Sequence, residues 1–246
     1  MEATRENRVL LEVSAINTYR GPAHILHGVS LTVQEGEVVS LVGRNGAGRT
    51  TIIESITGLL PVRSGSIRFR GEDITRLPPH RRARCGIGYA PEGSGIFPEL
   101  TVAENLLISR WMSTKTARGT AGGVDAETQA LTVFPEVRAF LGRQGLNLSG
   151  GQKKMVSIAR AMALAPSLMI LDEAFEGLAP VVVKRFRDAV LMIKGMGISL
   201  LLAESNLVSA SLIADRLYVI DRGEIIFHGT PKEAEADAEV MRTLRG

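Results

Sequence analysis

A chain of 246 residues is long enough for one large α/β domain or two smaller ones. Hydrophobic residues make up 45% and aromatic residues only 4%, so a real core is available but must be built mainly from Leu, Ile, Val, Met and Ala. A formal net charge of +3, spread along the chain, is too weak to argue for nucleic acid. No run approaches the roughly 18 apolar residues of a spanning helix.

The start of the chain is charged, with Glu2, Arg5, Glu6 and Arg8, and lacks the apolar centre of a signal peptide. Val9–Val13 and Val38–Val42 read as buried strands, and a helical pattern begins near Arg49. Ser66–Arg70 and Ile87–Ala90 are further short strands. Between them, Arg76 to Arg84 is the most basic stretch, and Arg81, Arg82 and Arg84 read as a solvated helix face. Cys85 is the only cysteine, which excludes an intrachain disulfide and fits a reducing compartment. From about Thr101 to Ala165 the pattern is helical, with a polar, Gly-rich interruption at 115–124 that reads as a mobile loop. Leu168–Leu171 and Ile198–Ala203 are again strands, each followed by a helical pattern, from Val181 and from Leu207. Arg216–Ile220 and Glu224–Phe227 flank Asp221, Arg222 and Gly223 as a tight hairpin. Pro231 opens a last amphipathic helix. The alternation predicts an α/β fold with a parallel sheet. It divides the chain into a core of residues 1–90 and 166–246 and a helical insertion, 91–165.

Three segments carry chemistry. Gly43, Arg44, Asn45, Gly46, Ala47, Gly48, Arg49 and Thr50 follow a strand and open a helix with the spacing of a phosphate-binding P-loop, except that Arg49 stands where lysine is expected. The glycines let successive N–H groups face one centre, and the helix N-terminus adds partial positive charge. Thr50 would ligate Mg²⁺ through its hydroxyl. Asp172 and Glu173 end an apolar strand, where Asp172 would hold Mg²⁺ and Glu173 would polarise the attacking water. Ser149, Gly150, Gly151 and Gln152 form a second anion site at a helix start, or by themselves a plain N-cap.

In this order and spacing, the three segments resemble the ABC ATPase family, over about Val9 to Gly229. The resemblance implies a P-loop NTPase core with N-terminal antiparallel strands and a helical subdomain carrying the signature at Ser149. Ile25–Ser30, Pro91–Gly93, Ile96–Leu106 and Gly177–Pro180 look most like the branched-chain amino acid importer ATPases and their urea and amide relatives. The resemblance further implies ATP and Mg²⁺ as ligands, bound at Gly43 to Thr51 and capped by the partner's signature. Implied partners are a second ABC ATPase, two transmembrane permeases and, indirectly, a periplasmic solute-binding protein. The implied location is peripheral, on the cytoplasmic face of the inner membrane.

Several positions depart from the family pattern. Glu92 stands at the Q-loop glutamine and is expected to touch Mg²⁺. Adenine stacking falls to Tyr19 or to Arg20, and Tyr19 is as readily an ordinary aromatic. Ser205 takes the place of the switch histidine, and cannot carry its charge. His27 and His228 read as packed or surface residues. Ala174, Phe175 and Glu176 alter the segment that crosses to the partner. Hydrolysis at this site is therefore expected to be slow rather than absent, leaving open a regulatory subunit with little hydrolysis of its own. The apolar run Ile96, Phe97 and Pro98 either docks a permease helix or packs inside the insertion.

Overall fold

The computed structural model describes residues 8–112, 125–178 and 180–245. The predicted loop at 115–124 and residues 1–7 lie outside them, as does Ala179. Two sheets organise the chain. β1 (Val9–Arg20), β2 (Ala23–Gln34), β4 (Val62–Phe69) and β5 (Glu72–Asp73) form an antiparallel sheet of order β2-β1-β4-β5. β3 (Val38–Val42), β6 (Ile87–Ala90), β7 (Leu168–Asp172), β8 (Ser199–Glu204), β9 (Arg216–Asp221) and β10 (Glu224–Gly229) form the other, of order β10-β9-β3-β8-β7-β6.

In the second sheet every pairing is parallel except that of β10, which returns antiparallel along β9. β3, β7 and β8 are buried at every position, as strands covered on both faces must be. Successive residues feed opposite faces. Val39, Leu41 and Leu201 pack with Ile52, Ile53 and Ile56 of α1 (Arg49–Thr57) and with Leu11, Ile16 and Leu26 of the antiparallel sheet. Val38, Leu200 and Leu202 pack with α5 (Gly150–Met162) and α6 (Pro180–Gly195) through Val156, Phe186 and Val190.

The antiparallel strands are much longer than the predicted runs, and β2 does not emerge from periodicity at all. The register between β1 and β2 shifts four times, and Gly28 within β2 has φ 63°. Each such irregularity breaks the period-2 alternation that announces a strand. Between β6 and β7 the described residues form helices, chiefly α3 (Val102–Met112), α4 (Ala126–Val133) and α5, with a single bridge between Thr101 and Gln144.

The basic stretch is not the solvated face expected of it. α2 (Pro79–Cys85) exposes Arg81 and Arg84, but Arg82 is 2% exposed. Its guanidinium donates to the carbonyls of Ser55 and Ile56 at 2.7 and 2.8 Å, and to Leu77 and Thr75 at 2.8 Å. It thereby satisfies last-turn carbonyls of α1 that the helix cannot pair itself. The C-terminal helical pattern is two helices, α8 (Pro231–Ala236) and α9 (Ala238–Arg245). Asp237 divides them, accepting from the N–H groups of Glu239 and Val240 and so starting the second. Among the described residues no helix is long and apolar enough to cross a membrane.

Candidate functional site

Parallel pairing sets the ends of β3, β7 and β8 side by side. Val42 lies opposite Glu204, and Asp172 opposite Ala203. The loops leaving these ends therefore share one edge of the sheet, where α/β proteins place their sites. Gly43 has no room for a side chain, since a Cβ there would stand 2.5 Å from the Ile220 carbonyl oxygen. Gly48 caps α1 with φ 117°, a conformation open to glycine and costly for other residues. The loop is braced from the far edge of the sheet. Arg222 and Gly223, with φ 45° and 82°, make the tight turn of the β9–β10 hairpin, and the Gly223 N–H donates to the Ala47 carbonyl at 2.9 Å.

Around this loop opens a cavity of about 470 Å³. Asn45, Gly46, Gly48, Arg49, Thr50 and Thr51 form one wall, and Glu92, Glu173, Glu176, Arg20 and Ile25 the rest. Gly43, Arg44 and Ala47 frame the loop rather than line the cavity; Ala47 N–H donates to the Arg44 carbonyl at 3.0 Å.

Arg49 is 4% exposed and its Nη2 bridges Asn45 Oδ1 at 3.0 Å and Glu173 Oε1 at 2.6 Å. Its Nη1 is buried without an acceptor. Asp172 presents the converse, two buried carboxylate oxygens that close no hydrogen bond. Burial pushes its pKa up to about 6, against the Thr50 hydroxyl and the Arg49 charge, which act to lower it. Glu173 rises to about 7, first through burial and then through its hydrogen bond with Glu176, with Arg49 opposing. At the end of β8, burial lifts Glu204 to about 8, with Lys154 acting to lower it. An unsatisfied cationic donor beside unsatisfied carboxylate oxygens is complementary to an anion that brings its own cation. Mg²⁺ with a polyphosphate has that character. Among the described residues no group of three or more His, Cys, Asp and Glu side chains would hold a metal unaided. Thr50, Asp172 and Glu92 fit a cation that also takes phosphate oxygens.

Not every predicted residue reaches this cavity. Arg20 does: its Nε donates to Thr51 Oγ1 at 3.1 Å and its guanidinium pairs with Glu54. Tyr19 points away along the strand, with its ring stacked on His24 at 4.3 Å and Arg63 over it. Of the two residues that strand alternation points to opposite faces, Arg20 is the one that faces the cavity. Ser205 is half-buried beyond β8 and does not line the cavity. Ser149 and Gly150 are exposed, with Gly151 and Gln152 half-buried behind them. Ser149 caps α5 in a reciprocal capping box with Gln152, and residues 149–152 do not line this chain's own cavity. The sequence reading missed Lys154 and Glu204, for which no motif exists to flag them.

Comparison with known proteins places this geometry. A sequence model of the ABC transporter family matches residues 26–176. The high-affinity branched-chain amino acid transport ATP-binding protein BraG of Pseudomonas aeruginosa is 34% identical over 224 residues, covering 90% of this chain and 93% of BraG. The lipopolysaccharide export system ATP-binding protein LptB of Escherichia coli K12 is 35% identical over 230 residues, 93% of each chain. Among solved structures, the ADP conformation of MJ1267, an ATP-binding cassette of an ABC transporter, superposes with a TM-score of 0.83 at 30% identity, over 97% of this chain and 99% of that one. The chain therefore belongs to the ABC transporter family and is an ATP-binding cassette, an ATPase of that class. It resembles the branched-chain amino acid transport subunits, and its likeness to an export subunit is as strong.

Proposed function

We propose that the chain is the ATP-binding subunit of an ABC importer, coupling MgATP binding and hydrolysis to uptake of a small solute, with branched-chain amino acids the best fit. The observation that carries the nucleotide part is the paired deficit at this end of the sheet, the buried Arg49 Nη1 on the cavity wall without an acceptor and, behind that wall, the buried Asp172 carboxylate oxygens that close no hydrogen bond. The P-loop amides and Arg49 would bind phosphates, and Arg20, on the cavity wall, would stack on the base. Thr50, Asp172 and Glu92 would hold Mg²⁺, which neutralises charge on phosphate oxygens. Glu173 would take a proton from the attacking water, once Arg49 turns from its carboxylate to the phosphate. The importer assignment rests on the wording of Ile96–Leu106 and Gly177–Pro180 and on the likeness to BraG and to LivF of Archaeoglobus fulgidus.

The helical segment 91–165 would act as a subdomain, presenting Ser149 to the phosphates of a second ATPase subunit. Two permeases would hold the pair at the cytoplasmic face of the membrane. Recovery of the intact complex from membranes, with identification of its permeases and uptake of labelled leucine into vesicles, tests the reading. Permeases of the lipopolysaccharide export type in that complex would overturn the importer assignment and leave the ATPase assignment standing.

A regulatory subunit with little hydrolysis of its own is favoured by two observations. Arg49 is engaged by Glu173, and Ser205 stands outside the cavity. Both point to a slow site rather than an inactive one, because Glu173 is present.

A further inference from the structure

The signature helix α5 reaches back into this chain's own site at one point. Ser149 opens the helix, and Lys154 lies just over a turn further along it. The Lys154 ammonium donates to the main-chain carbonyl of Glu173 and, at 3.3 Å, to that of Glu176. On the other side, the Glu173 N–H donates to the Ala203 carbonyl at 2.9 Å. The Glu173 peptide is thus held between β8 and α5. It needs holding, since Glu173 has φ 49°, a left-handed conformation that costs a non-glycine residue about 1 kcal/mol or more. The direction of that peptide fixes where the Glu173 side chain leaves the backbone, and so where its carboxylate stands in the cavity.

We infer that Lys154 is a positioning residue for Glu173, tying the helix that presents the signature to a second subunit to the carboxylate that serves this chain's own nucleotide. The inference rests on the ATPase reading above. Ser149 and Lys154 sit on one rigid helix, with Ser149 facing outward and Lys154 inward. A movement of α5 on engaging a second cassette is transmitted through Lys154 to the segment Glu173–Glu176. The competing role for Lys154 is to offset the charge of Glu204, the buried carboxylate at the end of β8 that the same ammonium faces. The Glu204 carboxylate also meets the Phe175 backbone N–H, so the two roles separate once Glu204→Gln alone is measured beside the variants below.

The test compares Lys154→Met, Lys154→Arg and the double variant Lys154→Met/Glu204→Gln in the assembled complex. Equilibrium MgATP affinity, ATP turnover and amide hydrogen exchange over residues 172–178 are measured. Lys154→Met is expected to lower kcat about tenfold or more, the effect of loosening a reacting group, with MgATP affinity changed less than about twofold. Exchange over 172–178 should rise in the same variant without nucleotide. Lys154→Arg, which donates to carbonyls, should recover most of the turnover, and the double variant should remain slow. Wild-type turnover in the double variant would overturn the positioning role in favour of charge compensation. Unchanged kcat and exchange in Lys154→Met would overturn it outright. If Lys154→Met does not fold, Lys154→Ala, which likewise has no donor, replaces it and the same outcomes apply. A wild-type complex that neither binds nor hydrolyses MgATP overturns the ATPase reading itself, and the positioning role with it.

Discussion

At the scale of single residues, the buried ion pair of Arg49 and Glu173 is the feature that bears most on the proposed chemistry. A lysine in this loop is a compact point charge, whereas arginine carries a planar fork able to reach two partners at once. Here one prong of that fork, Nη2, holds both Asn45 and Glu173 while Nη1 has no acceptor, so the carboxylate expected to work on water is engaged by the residue expected to work on phosphate. Arg49→Lys and Ser205→His, together, are expected to raise turnover at this site by about 10-fold or more, since one preorganised charge contact is worth about 10²–10³ in rate and neighbouring effects are not additive. The assay is ATP turnover in the assembled complex with the catalytic glutamate of the other ATPase subunit removed. No gain from either change, alone or combined, would refute the weakened site.

Glu204 makes a second prediction at this scale. Its folded pKa of about 8 lies above the ordinary value of 4.5 because it is buried. Between those values the folded chain keeps a proton that the unfolded chain has released, so stability falls as pH rises through that window. Below about 4.5 both states are protonated and the penalty is absent; above about 8 it is complete. Glu204→Gln should therefore raise the melting temperature at pH 8.5 by several degrees, on the order of a few kcal/mol, with little change at pH 4.5. A gain of equal size at both pH values would show that the carboxyl is not buried as an acid.

At the scale of elements, the junction of α1 and α2 bears on the site from outside it. α1 carries Arg49 and Thr50 at its start, and Arg82 of α2 closes its end through the Ser55 and Ile56 carbonyls while also binding those of Thr75 and Leu77. Arg82→Met would leave those carbonyls buried and unpaired. A loss of about 3 kcal/mol or more is expected, seen as a fall in melting temperature of about 6–12 °C. Gly58, which follows α1, belongs to the same packing: its φ is 81° and a Cβ there would meet Arg82 Nε at 2.8 Å. Nothing in the spacing of Arg81, Arg82 and Arg84 distinguishes the buried member from the exposed ones. Burial of the middle one is decided by where α2 lands on α1, a contact between residues 26 and 27 positions apart in sequence and therefore invisible to local pattern.

Across the whole molecule, the face expected to meet a permease is divided. Ile96 packs against the helical core, while Phe97 is 45% exposed beneath the Arg160 guanidinium, 5.4 Å from its ring centre. Asn105, fully buried, holds the loop with bonds to the N–H and carbonyl of Phe97, and Leu146 is joined to it through Pro98. Phe97 and the 51% exposed Leu146 are thus exposed apolar side chains on neighbouring, hydrogen-bonded loop segments. Phe97→Ala with Leu146→Ser should reduce recovery of permease subunits about tenfold, with ATP affinity of the isolated chain unchanged. Recovery at the wild-type level would show that the permeases dock elsewhere. Cysteines for crosslinking belong at Phe97 or Leu146 rather than at Ser94, which is buried with φ 65°.

By itself, the sequence determined the features that repeat locally or obey a spacing. The P-loop, the acidic pair after β7, the signature cap at Ser149, the buried parallel strands and the tight turn at Arg222 and Gly223 are each specified within a dozen residues. Capping, glycine φ angles and strand burial act over that range. Tertiary structure alone decided which of Tyr19 and Arg20 faces the cavity, that Arg49 is held by a glutamate 124 residues away, and that Lys154 grips the Glu173 peptide. It also decided that Ser205 stands outside the cavity. These depend on how strands pair in register and how helices land on them. The interactions involved are short-ranged in space but unbounded in sequence separation, and only the folded chain brings their partners together.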